Sequence, residues 1–409
     1  MIRGAWVWTV ARKEILSTVR DRRALISNLL IPLLVLPVVM LGLPLLMGGL
    51  FEREQASITA VALEAREALP EPLREAIQTQ NAELEAVDDA LLAVRDDRAP
   101  VGLIVPDGYA EDLAAGATPT LRILTKAGNL QSELATGKVR SAIEAYRQGL
   151  VAERLADAGL EPAVLTPVVT EMRDASRPEE QSSGQLAWII PFFVAIWALA
   201  GGQMTAIDAT AGEKERGTLE ALLVAPVRRA EVVAGKFLAT LATAVSASTM
   251  AIFGIVLGGV LMQSIFLPRL DESASEMVNV MGGTPNLSFG GFWLLLISAV
   301  LLAAAISALL IAIATFARSF KEAQSYIAPL SFVLIVPAIG LQFADLLDFG
   351  SGIYLVPVVN VMLLIDDVLG GSVAFGDVLA TWGSMALLVV ALLAFALQSF
   401  KRESVIFRT

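Results

Sequence analysis

Residues 25–50, LISNLLIPLLVLPVVMLGLPLLMGGL, carry no charge. At about 1.5 Å of rise per residue, a helix of that length crosses the ~30 Å hydrocarbon core of a bilayer. Five more apolar runs follow at 186–207, 232–262, 291–317, 326–343 and 378–399. Hydrophobic residues make up 56% of the 409 positions and charged residues 17%, and the mean hydropathy is +0.67, outside the range of soluble globular chains. The fold class expected is an α-helical polytopic membrane protein with six transmembrane helices. The first run exceeds the ~7–15 residues of a signal-peptide core and is expected to be a retained anchor.

Cysteine and histidine are both absent. That inventory excludes thiolate and imidazole metal sites, disulfides, cysteine nucleophiles and histidine switches, so any bound cation would need oxygen ligands. No metal site and no nucleic-acid partner is expected. The net charge of -11 is not spread evenly: residues 51–185 hold 13 basic and 24 acidic side chains, so the rest is neutral. Such an acidic segment reads as a solvated domain.

Basic residues orient the spans, because short cytoplasmic loops are enriched in them. Arg3, Arg12, Lys13, Arg20, Arg22 and Arg23 precede the first run; Lys214, Arg216, Arg228, Arg229 and Lys236 lie around 208–231; Arg318 and Lys321 lie in 318–325; Lys401, Arg402 and Arg408 lie in 400–409. Six crossings place all four groups on the cytoplasmic side of an inner membrane, with both termini there. Residues 263–290 then form an external loop with Arg269 as its one basic residue. Segment 51–185 becomes an inserted extracytoplasmic domain. It alternates β-type runs (SITAVAL from Ser57, VGLIV from Val101, TLRILT from Thr120, AVLTPVVTEM from Ala163) with helical ones, the longest at about 130–158, and an α/β fold is expected.

Residues 1–24 predict an amphipathic interface helix, with Trp6, Val10, Ile15 and Val19 opposite a basic face. In 344–377 the apolar run 353–365 is too short to span, and Asp345, Asp348, Asp366, Asp367 and Asp377 ring its ends, which predicts an external re-entrant hairpin. Polar residues in or beside spans are Asn28, Gln203, Thr205, Asp208 and Gln342, with Asn360 in the hairpin; they are candidates for a translocation path. Prolines 32, 37, 44, 191, 329 and 337 offer kinks.

No phosphate-binding loop is present: Gly137-Lys138 is followed by Val139 and Gly235-Lys236 by Phe237, where a Ser or Thr is needed for magnesium. No catalytic residue set is found, so the chain is not expected to be an enzyme. Between spans two and three, GEKERGTLEALLVAPVRR places a charged collar before a short helix that Thr218 can cap, Glu220 favours electrostatically and Pro226 ends. Leu219, Leu222 and Leu223 give it an apolar face. A short peg of this kind suits insertion into a groove on another protein.

GEKERGTLEALLVAPVRRAEVVAGK closely resembles the segment between the second and third spans of permease subunits of type 2 ABC exporters, in the sodium-extruding, NatB-like branch. RKEILSTVRDRRAL before the first span and YLVPVVNVMLLIDDVLGG from Tyr354 extend the resemblance. It implies a permease moving sodium out of the cytoplasm; the absence of charged residues mid-span points to an amphiphilic or lipid-like substrate instead, and a non-transporting signal or force transmitter that uses the external domain as sensor is the alternative. In that family the segment is the coupling helix seated on the ATPase. Glu213, Lys214, Glu215, Arg216, Gly217, Thr218, Leu219 and Glu220 would contact the ATPase, with Arg12, Lys13 and Glu14 as a second contact. The chain itself would bind no cofactor; ATP and Mg would sit on two partner ATPase subunits, and a second copy of the chain would complete the complex.

Overall fold

The computed structural model describes residues 3–65, 69–165, 189–218, 225–270, 288–343 and 350–401. It divides into a helical unit, 1–45 with 175–409, and a second unit, 46–174. Among the described residues six helices are long and apolar enough to cross a membrane.

The helical unit opens with α1 (Gly4–Arg20), α2 (Arg22–Leu25) and, after a π-helical turn at Ile26–Leu30, α3 (Ile31–Ala56). Prolines 32, 37 and 44 all lie inside α3. The second span is α8 (Ile189–Ile207), which passes through a π-helical turn, Asp208–Gly212, into the single turn α9 (Glu213–Glu215). The third is α10 (Arg229–Leu261), the fourth α11 (Phe289–Ala314). The fifth apolar run is broken: Pro329 separates α12 (Phe320–Ile327) from α13 (Leu330–Leu341), as expected where proline removes a donor and crowds the preceding turn. The last helix is α15 (Phe375–Lys401). Pro191 stands in the first turn of α8, where proline needs no kink.

In a bilayer, helices associate by close packing rather than by hydrophobic exclusion, so small residues mark the contacts. A Cβ added to Gly201 of α8 would lie 2.4 Å from the Ala247 Cβ of α10, a distance only a bare glycine permits. Ala195, Ala198, Ala244 and Ala251 line the same core with Leu302, Ala303 and Leu310 of α11.

Between α13 and α15, residues 351–355 form a 3-10 turn and α14 spans Val359–Gly370. Asn360, Val361, Met362, Leu364, Ile365, Val368 and Leu369 of α14 are buried. Tyr354 donates its hydroxyl proton to Asp367 at 2.5 Å, and the Asn360 amide donates to Tyr354 O and Ser384 Oγ. Burial, joined by the Asp367 carboxylate, pushes the Tyr354 phenol well above its ordinary pKa. Asp345 and Asp348 lie outside the described residues.

In the second unit, β1 (Thr59–Glu64), α4 (Glu71–Thr79), β2 (Ala82–Ala86), α5 (Ala90–Arg95), β3 (Val101–Ile104), α6 (Tyr109–Ala114), β4 (Arg122–Thr125) and α7 (Leu130–Asp157) follow in order. The sheet order is β2-β1-β3-β4, with β1 parallel to β2 and β3, and β4 antiparallel to β3. Alternation along β1 assigns the faces: Val61 packs with α4 and α7, Ala62 with α5. Strand β2, AELEA, alternates apolar and acidic residues but contains no β-branched or aromatic residue, so β-type composition does not mark it. The run AVLTPVVTEM is instead a 3-10 turn over Pro162–Leu165, and its remainder lies outside the described residues.

Candidate coupling site

Helix α1 lies against α10 through Val7, Val10, Ala11 and Glu14. Of the apolar residues expected to face the membrane interface, Val10 lies in this contact, Trp6 and Ile15 are half-buried and Val19 is exposed. Gly235 sets how close the contact is. A Cβ there would fall 2.6 Å from Val10 Cβ and 2.9 Å from Val7 O, so the helices meet at nearly backbone distance and small contact residues outrank large ones. Trp8 and Leu16 stay exposed on the outer face beside Arg12 and Arg20.

Charges fasten this contact at both ends. Arg3 donates from its backbone N–H and guanidinium to the Glu231 carboxylate at 2.9–3.0 Å, and to Pro226 O at 2.8 Å. Glu231 also accepts the Arg228 N–H and so caps α10. The hydrogen bond to Glu231 holds the Arg3 pKa above its ordinary value.

Deeper in, Lys236 is wholly buried and donates to Glu213 and to Ala209 O. Glu213 accepts Lys13 on its other oxygen, and Lys13 donates to Glu14 at 3.0 Å. Two ammonium groups and two carboxylates thus form a neutral quartet, buried except at Lys13, that joins α1, the end of span two and the start of span three. A buried ion needs such compensation, because desolvation of a lone charge costs several kcal/mol. Burial works against the Lys13 ammonium, but Glu213 and Glu14 outweigh it and leave its pKa raised.

The collar continues the bracing. Lys214 Nζ donates to Thr315 O and Ala317 O, carbonyls left over at the C-terminal end of α11. Glu215 accepts the Phe320 N–H at 2.8 Å, a carboxylate at the N-terminus of α12. Arg216 donates to Asp208 Oδ1 at 2.9 Å, which raises its own pKa. Gly217 adopts φ +69°, the left-handed turn that ends the helix. The Thr218 hydroxyl donates back to Glu213 O.

The candidate contacts at 213–220 and 12–14 differ in accessibility. Glu213 and Glu14 are 3% and 4% exposed, and their carboxylates are engaged by lysines of the chain itself. Lys214 is half-buried, whereas Arg12, Lys13, Glu215, Arg216, Gly217 and Thr218 are exposed. Leu219, Glu220, Leu222 and Leu223 lie outside the described residues. Arg3 and Glu231 are the pair that sequence reasoning missed; an acidic residue three positions into a helix beside Arg228 was the available signal.

Of the path candidates, Thr205 and Asp208 line one cavity of about 180 Å³ with Glu14, Ser17, Thr18 and Asp21. Thr205 lies 3.4 Å from Thr18 through their hydroxyls. Asn28, buried in the first π-helical turn, donates to Gly201 O at 3.5 Å. Asn28 and Asp208 both sit in π-helical turns, irregularities that recur at functional positions. Gln203 is half-buried, Gln342 exposed and Asn360 fully buried, and none of the three lines this cavity. Asp208 is held by Arg216, Glu14 by Lys13, and Asp21 accepts the Arg23 backbone N–H, so the cavity offers hydroxyls and carboxylates that the chain already engages. Among the described residues no group of acidic side chains could hold a metal ion.

A membrane bundle whose loops converge on a charge-braced end matches the family model described as ABC-2 family transporter protein over residues 28–397. The chain belongs to the ABC-2 transporter family. This ABC-2 permease is 26% identical over 407 residues to the ABC transporter permease protein NatB of Bacillus subtilis (strain 168), covering 96% of this chain and 97% of that one. An ABC-2 permease is a multi-pass membrane subunit of an ABC transporter, and membership implies an ABC ATPase as partner.

Proposed function

We propose that this ABC-2 permease forms the membrane path of an ATP-driven sodium exporter, with two copies of the chain served by two separate ATPase subunits. The ionic quartet around Glu213 carries the reading. In this reading the collar that begins at Glu213 receives the push of the ATPase, and it is tied through Glu213 and Lys236 to span three and through Lys13 to α1. Lys214 and Glu215 extend the tie to spans four and five. A push on the collar therefore moves four spans and α1 as one body, the rigid-body motion an alternating-access transporter requires.

The cavity at Thr205 and Asp208 supports a small cation as cargo. Its hydroxyls offer the oxygen ligands sodium takes, while its already engaged carboxylates keep binding weak enough for passage. The other reading, a transmitter that transports nothing, is favoured by the separately folded second unit with its own core. The two part in one assay: chain and ATPase in sealed vesicles with labelled sodium. ATP-dependent sodium movement, at least tenfold lower in Asp208→Asn with ATPase binding kept, supports the exporter; ATP hydrolysis without any sodium movement overturns it. Glu215→Ala and Gly217→Val test the contact itself, and unchanged ATPase binding and transport in both would remove the coupling assignment.

A further inference from the structure

In the second unit, α6, the stretch 115–121 and α7 enclose a groove of about 430 Å³, within the range of small-molecule sites. Its wall is apolar: Leu113, Leu121, Ile143 and Leu150 contribute side chains, over a floor of the buried Tyr109 and Tyr146. Burial, with the neighbouring Tyr146 hydroxyl, pushes the Tyr109 phenol up to about 12, so the floor is neutral. Ile143, Tyr146, Leu150 and Arg154 recur at helical spacing on one face of α7, and Arg147 and Arg154 stand at the groove's edge.

The charge at this edge runs against its surroundings. The segment around it carries 24 acidic and 13 basic side chains, yet both ionisable residues lining the groove, apart from the two tyrosines, are arginines. Arg147 is paired with Glu144 at 2.6 Å. Arg154 donates to Leu113 O at 2.8 Å, and among the described residues it has no carboxylate partner. Arginine presents five N–H donors in a fixed fork that matches a carboxylate. One is used, and the fork lies beside an apolar trough.

We propose that this groove binds a single-chain anionic amphiphile, its alkyl chain along Leu113, Ile143 and Leu150 and its carboxylate on Arg154. The site is independent of the cargo assignment above, since it involves neither the coupling segment nor the membrane helices.

The test uses the full chain in lipid nanodiscs and a dodecanoate carrying a diazirine on its alkyl chain. After irradiation, labelled peptides are mapped by mass spectrometry. Labelling concentrated in 109–121 and 143–154, displaced at least tenfold more effectively by dodecanoate than by dodecanol or dodecyltrimethylammonium, is the expected result. Arg154→Gln is expected to lower labelling about tenfold, and Leu150→Trp, which fills the trough and leaves both arginines in place, to abolish it, with melting temperatures of both variants recorded as controls on folding. Labelling that ignores Leu150→Trp, or displacement equal for all three competitors, overturns the proposal. So does absence of label from both peptides, the result if another part of this chain or a second copy covers the groove.

Discussion

At the scale of single residues, Lys236 carries the largest consequence. Replacing it by methionine leaves Glu213 and Glu14 buried with Lys13 as their one remaining ammonium, and stranding a buried charge costs about 3–5 kcal/mol. Lys236→Met is expected to lower the melting temperature clearly, and Lys236→Met with Glu213→Leu to recover most of the loss, as read by thermal unfolding in nanodiscs. Tyr109 gives a spectroscopic check. Its raised pKa means that the neutral phenol is favoured in the fold; that contribution is full below the ~10 of an unfolded tyrosine and is lost as pH rises through about 12. Phenolate absorbance should show a step near 12 that Tyr109→Phe removes. Only the Lys13–Glu14 pairing of the quartet joins sequence neighbours; the others could not be read from the chain alone. Lys236 lies 23 residues from Glu213, and Lys13 lies 200 from it, and no local pattern links positions so distant. Charge in the collar was legible; that it turns inward was not, because a loop beside a membrane is ordinarily solvated.

At the scale of elements, Gly235 decides how α1 sits. Gly235→Leu would need space that Val7 and Val10 occupy, so α1 should leave α10. Amide hydrogen exchange in residues 4–20 is expected to rise at least tenfold in that variant while α11 stays protected. The six long apolar helices were plain in the sequence, since length and absence of charge suffice to find them. Strands β1, β3 and β4 coincide with runs singled out by β-type residues. Strand β2 escaped because Ala82–Ala86 contains no β-branched or aromatic residue and lies at a sheet edge. The contact of α1 with α10 was not legible, because it uses small residues that fit against a glycine rather than the large apolar ones the sequence advertises.

For the molecule as a whole, three separated stretches meet at one end of the bundle: the region before span one, the link between spans two and three, and the link between four and five. The basic residues had grouped these same stretches. Lys401 closes α15, while Arg402 and Arg408 of the fourth group lie outside the described residues. Span four is 67% buried within its chain and span six 17%. Mass photometry of the complex with its ATPase is expected to report two permeases of 43.4 kDa and two ATPases, and a complex containing one permease would contradict the two-copy proposal. The turn at Gly217 adds a mechanical consequence. Everything up to Arg216 is bolted to the bundle, and the polypeptide then reverses hand at a residue with open space around its α-carbon. Gly217→Asn tolerates that geometry better than Gly217→Val, so the two should separate a stiff linkage from a failed one. A rudder steers a hull only if its pintle neither slips nor seizes, and this single glycine sits where that bearing would be.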